Sequence, residues 1–152
     1  VVRILKDLDR DITGREVLNI EDIVEGDEVI SFNENTLSVE PKKVIGLKNP
    51  IHNDLVKYHF ANDTSLTCTF DHPLYVNGLE LASFIPEWTN KRYEIGRDVR
   101  KIKVGDLVKL VTGGQTVIKE IEVLSPEDTQ TYIITVEDNH NFYANNILVH
   151  NK

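Results

Sequence analysis

The chain has 152 residues, of which 40% are apolar and 28% charged, with a net charge of -8. This balance predicts a folded, soluble domain rather than a disordered segment and permits a cytoplasmic one; the negative charge argues against unaided nucleic-acid binding, which needs a basic face. No apolar run approaches the roughly 18–20 residues of a membrane span, no basic stretch with an apolar core opens these residues, and Cys68 stands alone, which rules out an internal disulfide and a cysteine-based zinc cluster.

In chain order, residues 20–24 read as briefly helical and lead through Gly26-Asp27 into a strand. Residues 43–47 are β-prone. Residues 55–60 alternate apolar and polar and stop at Asn62-Asp63, and residues 65–70 form another β run that stops at Asp71-His72-Pro73. Leu74-Tyr75-Val76 meets Asn77-Gly78, a hairpin signal because both residues tolerate positive φ. Residues 81–88 read as a second helical stretch broken by Pro86, and residues 91–103, charged and weakly patterned, as a mobile surface loop. Residues 116–123 and 130–136 are further strands. Pro41, Pro50 and Pro126 fall where strand edges or loops belong. Short strands with frequent turns predict an all-β domain.

An internal repeat runs through this pattern. Ile20-Glu21-Asp22-Ile23-Val24-Glu25-Gly26-Asp27-Glu28-Val29 resembles Val99-Arg100-Lys101-Ile102-Lys103-Val104-Gly105-Asp106-Leu107-Val108. A β run follows each copy, and a second run ends at Asn62-Asp63 in one half and at Asp138-Asn139 in the other. Two copies are too few for a solenoid; two related β halves packed on each other fit better.

Two groups of residues carry chemistry. The first is His150-Asn151, followed by Lys152. An asparagine amide nitrogen can attack its own carbonyl carbon, closing a five-membered succinimide and breaking the chain after it. The reaction needs a polarised carbonyl and a proton for the leaving amine, and an adjacent His, titrating near neutrality, supplies both. As a bare dipeptide this pair carries no information. The second group is Thr69-Phe70-Asp71-His72, a strand end with a polar cluster, in which Asp71 reads foremost as a turn cap and second as an orienting partner for Thr69 or His72. Cys68 beside it reads as a buried, inert strand cysteine, and His52 and His59 as structural or exposed. No metal-ligand spacing is present.

Residues 136–151, from Val136 through His140-Asn141-Phe142-Tyr143 and Ile147-Leu148-Val149 to His150-Asn151, closely resemble the C-terminal splicing motifs of the intein family. Thr69-x-x-His72 resembles its internal motif, and residues 13–29 resemble its opening segment. The resemblance covers nearly the whole chain. It implies an all-β horseshoe of the Hint (hedgehog/intein) class with pseudo-two-fold halves, one domain over residues 1–151. It implies autocatalytic protein splicing, a single-turnover self-processing rather than a turnover enzyme, with no cofactor and no metal. Thr69 and His72 would address the N-terminal scissile peptide, and His140 and His150 would assist Asn151 at the C-terminal one. Its partners would be the flanking extein segments of a host protein, and the domain would be a monomer. The stretch between His72 and His140 is too short for a homing endonuclease, so the resemblance is to a mini-intein.

Three departures from the family pattern qualify this. Position 1 is Val1, which has no nucleophilic side-chain atom, where inteins begin with Cys, Ser or Ala. This predicts that natural N-terminal residues are absent, or come on a short peptide in trans as in an atypically split intein. Lys152 cannot accept the branched ester that Cys, Ser or Thr accepts after the terminal Asn, so the chain is not expected to splice alone. The Asp that some inteins carry before the upstream His has no counterpart in residues 131–136. The alternatives are a hedgehog-type autoprocessing domain, which has no reason to end in His-Asn, and an inert all-β interaction module.

Overall fold

The computed structural model describes residues 3–7, 15–124 and 126–151, the first five and residues 15–18 by their backbone alone. The chain begins with the hairpin β1 (Arg3–Asp7) and β2 (Arg15–Asn19) and a single 3-10 turn over Ile20–Asp22. β3 (Glu28–Asn33), β4 (Ser38–Lys48), β5 (Ile51–His52), β6 (Leu55–Phe60) and β7 (Ser65–Thr69) follow. Next come β8 (Leu74–Val76), β9 (Glu80–Ser83), the helix α1 (Pro86–Arg92) and β10 (Val99–Lys101). β11 (Leu107–Lys109), β12 (Gln115–Val123), β13 (Thr129–Gln130), β14 (Ile133–Val136), β15 (Asn141–Ala144) and β16 (Ile147–His150) complete the order. Among the described residues no helix is long and apolar enough to cross a membrane.

Among the described residues fourteen strands join one sheet, in the order β14-β4-β3-β1-β15-β16-β8-β11-β12-β6-β7, with β2 beside β1, β9 beside β8 and β10 beside β9. The sheet curls until its two end strands, β7 and β14, line one cleft. The all-β architecture expected from the sequence is the observed one.

The central strands are buried on both faces. Along β8, Leu74 and Val76 enter one apolar cluster and Tyr75 the other; along β16, Ile147 and Val149 enter the first and Leu148 the second. A strand covered on both sides reads as a continuous apolar run, because the period of two has no polar face to expose.

The repeat is structural, not only textual. Gly26 and Gly105 both take φ of 96°, a backbone state open to glycine and costly for other residues. In the first copy Gly26 N–H bonds the Val44 carbonyl at 2.8 Å and Val44 N–H returns to Asp27; in the second Gly105 N–H bonds Ile118 at 2.8 Å and Ile118 N–H returns to Asp106. The aspartate carboxylates accept equivalent backbone bonds, from Val24 N–H at 3.0 Å and Lys103 N–H at 2.9 Å. Ile23 and Ile102 both fill the core. The halves also exchange strands: β4 of the first pairs with β14 of the second, and β12 of the second with β6 of the first. Neither half therefore closes its own sheet.

Three local expectations are corrected. The second helical stretch does not begin at residue 81: Leu81 lies in β9, and Pro86 starts α1 rather than breaking it. Proline suits the first turn, where its missing N–H would have no partner. Residues 91–103 are not simply a surface loop, because Val99–Lys101 pairs in parallel with β9 and Val99 and Ile102 are buried. Cys68 is half-buried and lines the cleft rather than being enclosed. The Asn77-Gly78 turn is as expected, with φ of 48° and 96° between β8 and β9.

Candidate functional site

The C-terminal end is a tight hairpin. β15 and β16 pair Asn141 with His150, Phe142 with Val149, Tyr143 with Leu148 and Ala144 with Ile147. The two linking residues, Asn145 and Asn146, take φ of 50° and 67°, the geometry of a primed two-residue turn that asparagine tolerates. The hairpin thus returns the chain to where β15 began. There His140, itself at φ of 56°, accepts the Asn151 N–H on its backbone carbonyl at 2.8 Å. The His140 ring is exposed.

Asn151 is buried, 5% exposed. Its Nδ2 donates to the Val136 carbonyl at 3.3 Å, while Oδ1 is enclosed and accepts no hydrogen bond from the described residues. His150 Nδ1 lies 2.6 Å from the Asn151 carbonyl oxygen, the acceptor at the bond that joins Asn151 to Lys152. Since a carbonyl only accepts, Nδ1 carries the proton. The His150 ring is held below its ordinary pKa, first by burial and next, in the opposite direction, by the Asn151 carbonyl; Arg97 and His140 add to the lowering and Glu34 opposes it.

The second motif ends β7. His72 N–H closes a turn onto the Thr69 carbonyl at 3.2 Å. Thr69 and Asp71 are buried, and Thr69 Oγ1 donates to Asp71 Oδ1 at 2.7 Å. Arg92 Nη1 and Tyr93 OH each reach Asp71 Oδ2 at 3.2 Å, and Thr89 Oγ1 donates to the Asp71 carbonyl at 2.7 Å. Asp71 is therefore more than a turn cap. It anchors the Thr69 hydroxyl, and α1 is clamped onto it. Tyr93 is pushed up to about 12, chiefly by burial and then by the Asp71 carboxylate.

Thr69 and His72 face a cleft of about 320 Å³, walled by β7 and by residues 129–134 and floored by Phe142, Ala144 and Val149. Backbone bonds join the two motifs: His150 N–H donates to Pro73 at 3.1 Å, and Leu74 pairs with Val149. The sequence-predicted residues thus form two adjoining sets, His140-His150-Asn151 and Thr69-His72. His52 and His59 stay outside, paired to Asp54 at 2.8 Å and Glu122 at 2.9 Å. Among the described residues no group of three His, Cys, Asp or Glu is placed to hold a metal. Val1 and Lys152 lie outside the described residues.

Sequence reasoning missed Asn141, Tyr75, Glu34 and Arg97. Asn141 is fully buried yet saturated: Oδ1 accepts Ser31 Oγ at 2.6 Å and Phe32 N–H at 2.9 Å, and Nδ2 donates to Phe32 at 3.0 Å and Tyr75 OH at 3.2 Å. A polar residue between His140 and a buried aromatic run was the available signal. Nothing local marks Glu34 or Arg97.

A curled sheet of two strand-exchanged copies, with these two motifs adjoining, is the Hint fold that solved inteins and intein-like domains share. Solved structures agree over nearly the whole chain. An intein-like domain from Clostridium thermocellum shares 27% identity at a TM-score of 0.74, covering 99% of this chain and 94% of that one. The gp41-1 intein matches at 21% identity and a TM-score of 0.70, over 99% and 94% of the two chains. A DnaB intein from Synechocystis matches at 18% and 0.68, over 100% and 99%. An uncharacterised protein of Methanocaldococcus jannaschii is 27% identical over 117 residues, 75% of this chain, which spans only 15% of that protein's length. No family model matches the chain.

Proposed function

We propose that the chain is an autocatalytic protein-splicing domain, with Asn151, His150, His140, His72 and Thr69 as its working residues and the flanking extein segments of a host protein as its substrate. The observation that carries this reading is the His150 Nδ1 contact to the Asn151 carbonyl oxygen, 2.6 Å.

Asn151 Nδ2 attacks the Asn151 carbonyl carbon. His150 draws charge onto the carbonyl oxygen as it develops, and then protonates the departing α-amine of Lys152. The C–N bond to Lys152 breaks, Nδ2 loses a proton, and the products are a C-terminal aminosuccinimide and a free amine. The Nδ2 bond to Val136, with no donor to Oδ1 among the described residues, favours attack, because one acceptor pushes density onto nitrogen and none of those residues draws the amide lone pair toward oxygen. The burial of Asn151 adds a positioned, dry setting.

At the other junction Thr69 and His72 would bind and distort the N-terminal scissile peptide in the cleft, with a Cys- or Ser-led segment as the nucleophile, supplied in cis or as a short peptide in trans. No cofactor enters any step. The reaction is single-turnover and suits a monomer acting in the cytoplasm.

Reporter domains fused at both ends test the reading, with a Cys-led segment placed in front and Lys152 replaced by Cys. A ligated reporter pair with the domain excised supports splicing. Cleavage at the front alone supports the hedgehog-type alternative, and an intact fusion supports an inert module. Mass spectrometry of the unaltered chain reads the C-terminal half-reaction alone, as loss of Lys152 with succinimide at Asn151.

A further inference from the structure

A line of polar contacts runs from the surface to the back of His150. Tyr75, fully buried on β8, lies against the His150 ring with centroids 5.9 Å apart and planes at 37°. Its hydroxyl donates to Glu34 Oε2 at 3.0 Å and accepts from Asn141 Nδ2 at 3.2 Å. Asn141 is the cross-strand partner of His150. Glu34 in turn takes Arg97 Nη1 on both oxygens, at 2.8 and 2.9 Å. The Arg97 guanidinium sits over the Tyr75 ring, 5.6 Å from its centroid, and its Nη2 donates to the Leu79 carbonyl. The charged groups felt by His150 are Arg97, Glu34 and His140, and the first two oppose each other.

We propose that Glu34 and Arg97, held through Tyr75, are positioning residues for His150, fixing the imidazole plane and setting the electrostatic field in which it works. The inference rests on the role given to His150 above. As a structural ion pair at the rim, Glu34–Arg97 would contribute little. Its connection through a buried tyrosine to the one ring that touches the Asn151 carbonyl gives it a different use. The field matters because His150 must be protonated on Nδ1 to polarise the carbonyl and must also give up a proton to the leaving amine. Removing Glu34 uncovers the Arg97 charge and makes the imidazolium harder to form. Removing Arg97 leaves Glu34 uncompensated and makes it easier.

The test compares E34Q, R97Q and R97K in the full chain. Ring NMR titration of His150 is read in an Asn151→Ala background, which cannot cleave; Lys152 release against pH is read by mass spectrometry in the cleaving chain. E34Q is expected to move the His150 midpoint down and R97Q to move it up, each by several tenths of a pH unit, with the cleavage profile following in the same direction. R97K keeps the charge and is expected to titrate like the parent, which separates field from simple loss of fold. Shifts of the same sign in E34Q and R97Q, or none in folded protein, overturn the proposal. Opposite shifts with no Lys152 release from any chain, parent included, leave the field assignment standing and sink the splicing reading instead.

Discussion

Among the described residues, the hydrogen bonds at Asn151 come from its own hairpin or the segment just before it: the His140 carbonyl, the Val136 carbonyl and the His150 ring. Thr69 and His72, in contrast, face a cleft of about 320 Å³ with apolar walls. On the proposed function the first set is closed on its own chain, bent back by a two-residue turn, and the second, braced through Asp71 and α1, is a receptor for a peptide brought to it. On that reading Asn cyclisation would need only proton transfers within the hairpin, and the N-terminal step would need an occupant whose fit sets its rate.

The sharpest way to break this contrast is Asn151→Ala. It is expected to abolish Lys152 release while leaving N-terminal thioester chemistry, read by thiol-induced cleavage of a Cys-led fusion, intact. Loss of both would mean that the two sites are one. His150→Gln is expected to slow Lys152 release by about 10²–10⁴-fold, the usual contribution of a positioned general acid, measured by mass spectrometry against time.

pH sharpens the contrast further. The His150 pKa lies below its ordinary 6.5, with burial the first cause. The imidazolium therefore forms only as pH falls below 6.5, and Lys152 release is expected to be faster at pH 6 than at pH 7.5. The linkage has a matching sign. A depressed folded pKa means that the unfolded chain binds the proton first, so the His150 contribution to stability is full above 6.5 and is lost as pH falls through the folded value. Urea midpoints across that window check it.

Asp71→Ala should act on the other site. Thr69, Tyr93 and Arg92 all lose their acceptor, and the expected cost is roughly 1–3 kcal/mol in urea unfolding. N-terminal cleavage should slow while Lys152 release per folded molecule stays unchanged. The smallest effect is expected from His140→Asn. The exposed ring is lost, but the backbone carbonyl that holds Asn151 and the tolerance of positive φ are kept. A change of no more than several-fold in Lys152 release is expected; a loss comparable to His150→Gln would show that the ring, not the backbone, is what His140 contributes.

The asymmetry between the sites also explains what could be read in advance. His140, His150 and Asn151 were legible through their resemblance to the intein splicing motifs, a stretch contiguous in sequence that folds as one hairpin. The Gly26-Asp27 and Gly105-Asp106 turns were legible because a glycine at φ of 96° and an aspartate bonding the N–H three residues back are local arrangements. Pro86 misled because a proline breaks a helix or begins one, and only the burial of Leu81 in a strand chooses between them.

Sequence alone thus determined the all-β class, the repeat, and the two motifs with their chemical types, all of which depend on neighbours within a few residues. Tertiary structure decided the rest. It exchanged β4 and β12 between the halves, clamped α1 onto Asp71, and brought Glu34 and Arg97 behind His150. Those contacts join residues far apart in the chain, and they exist only once the sheet has curled and placed β3, β8 and β16 around a common core.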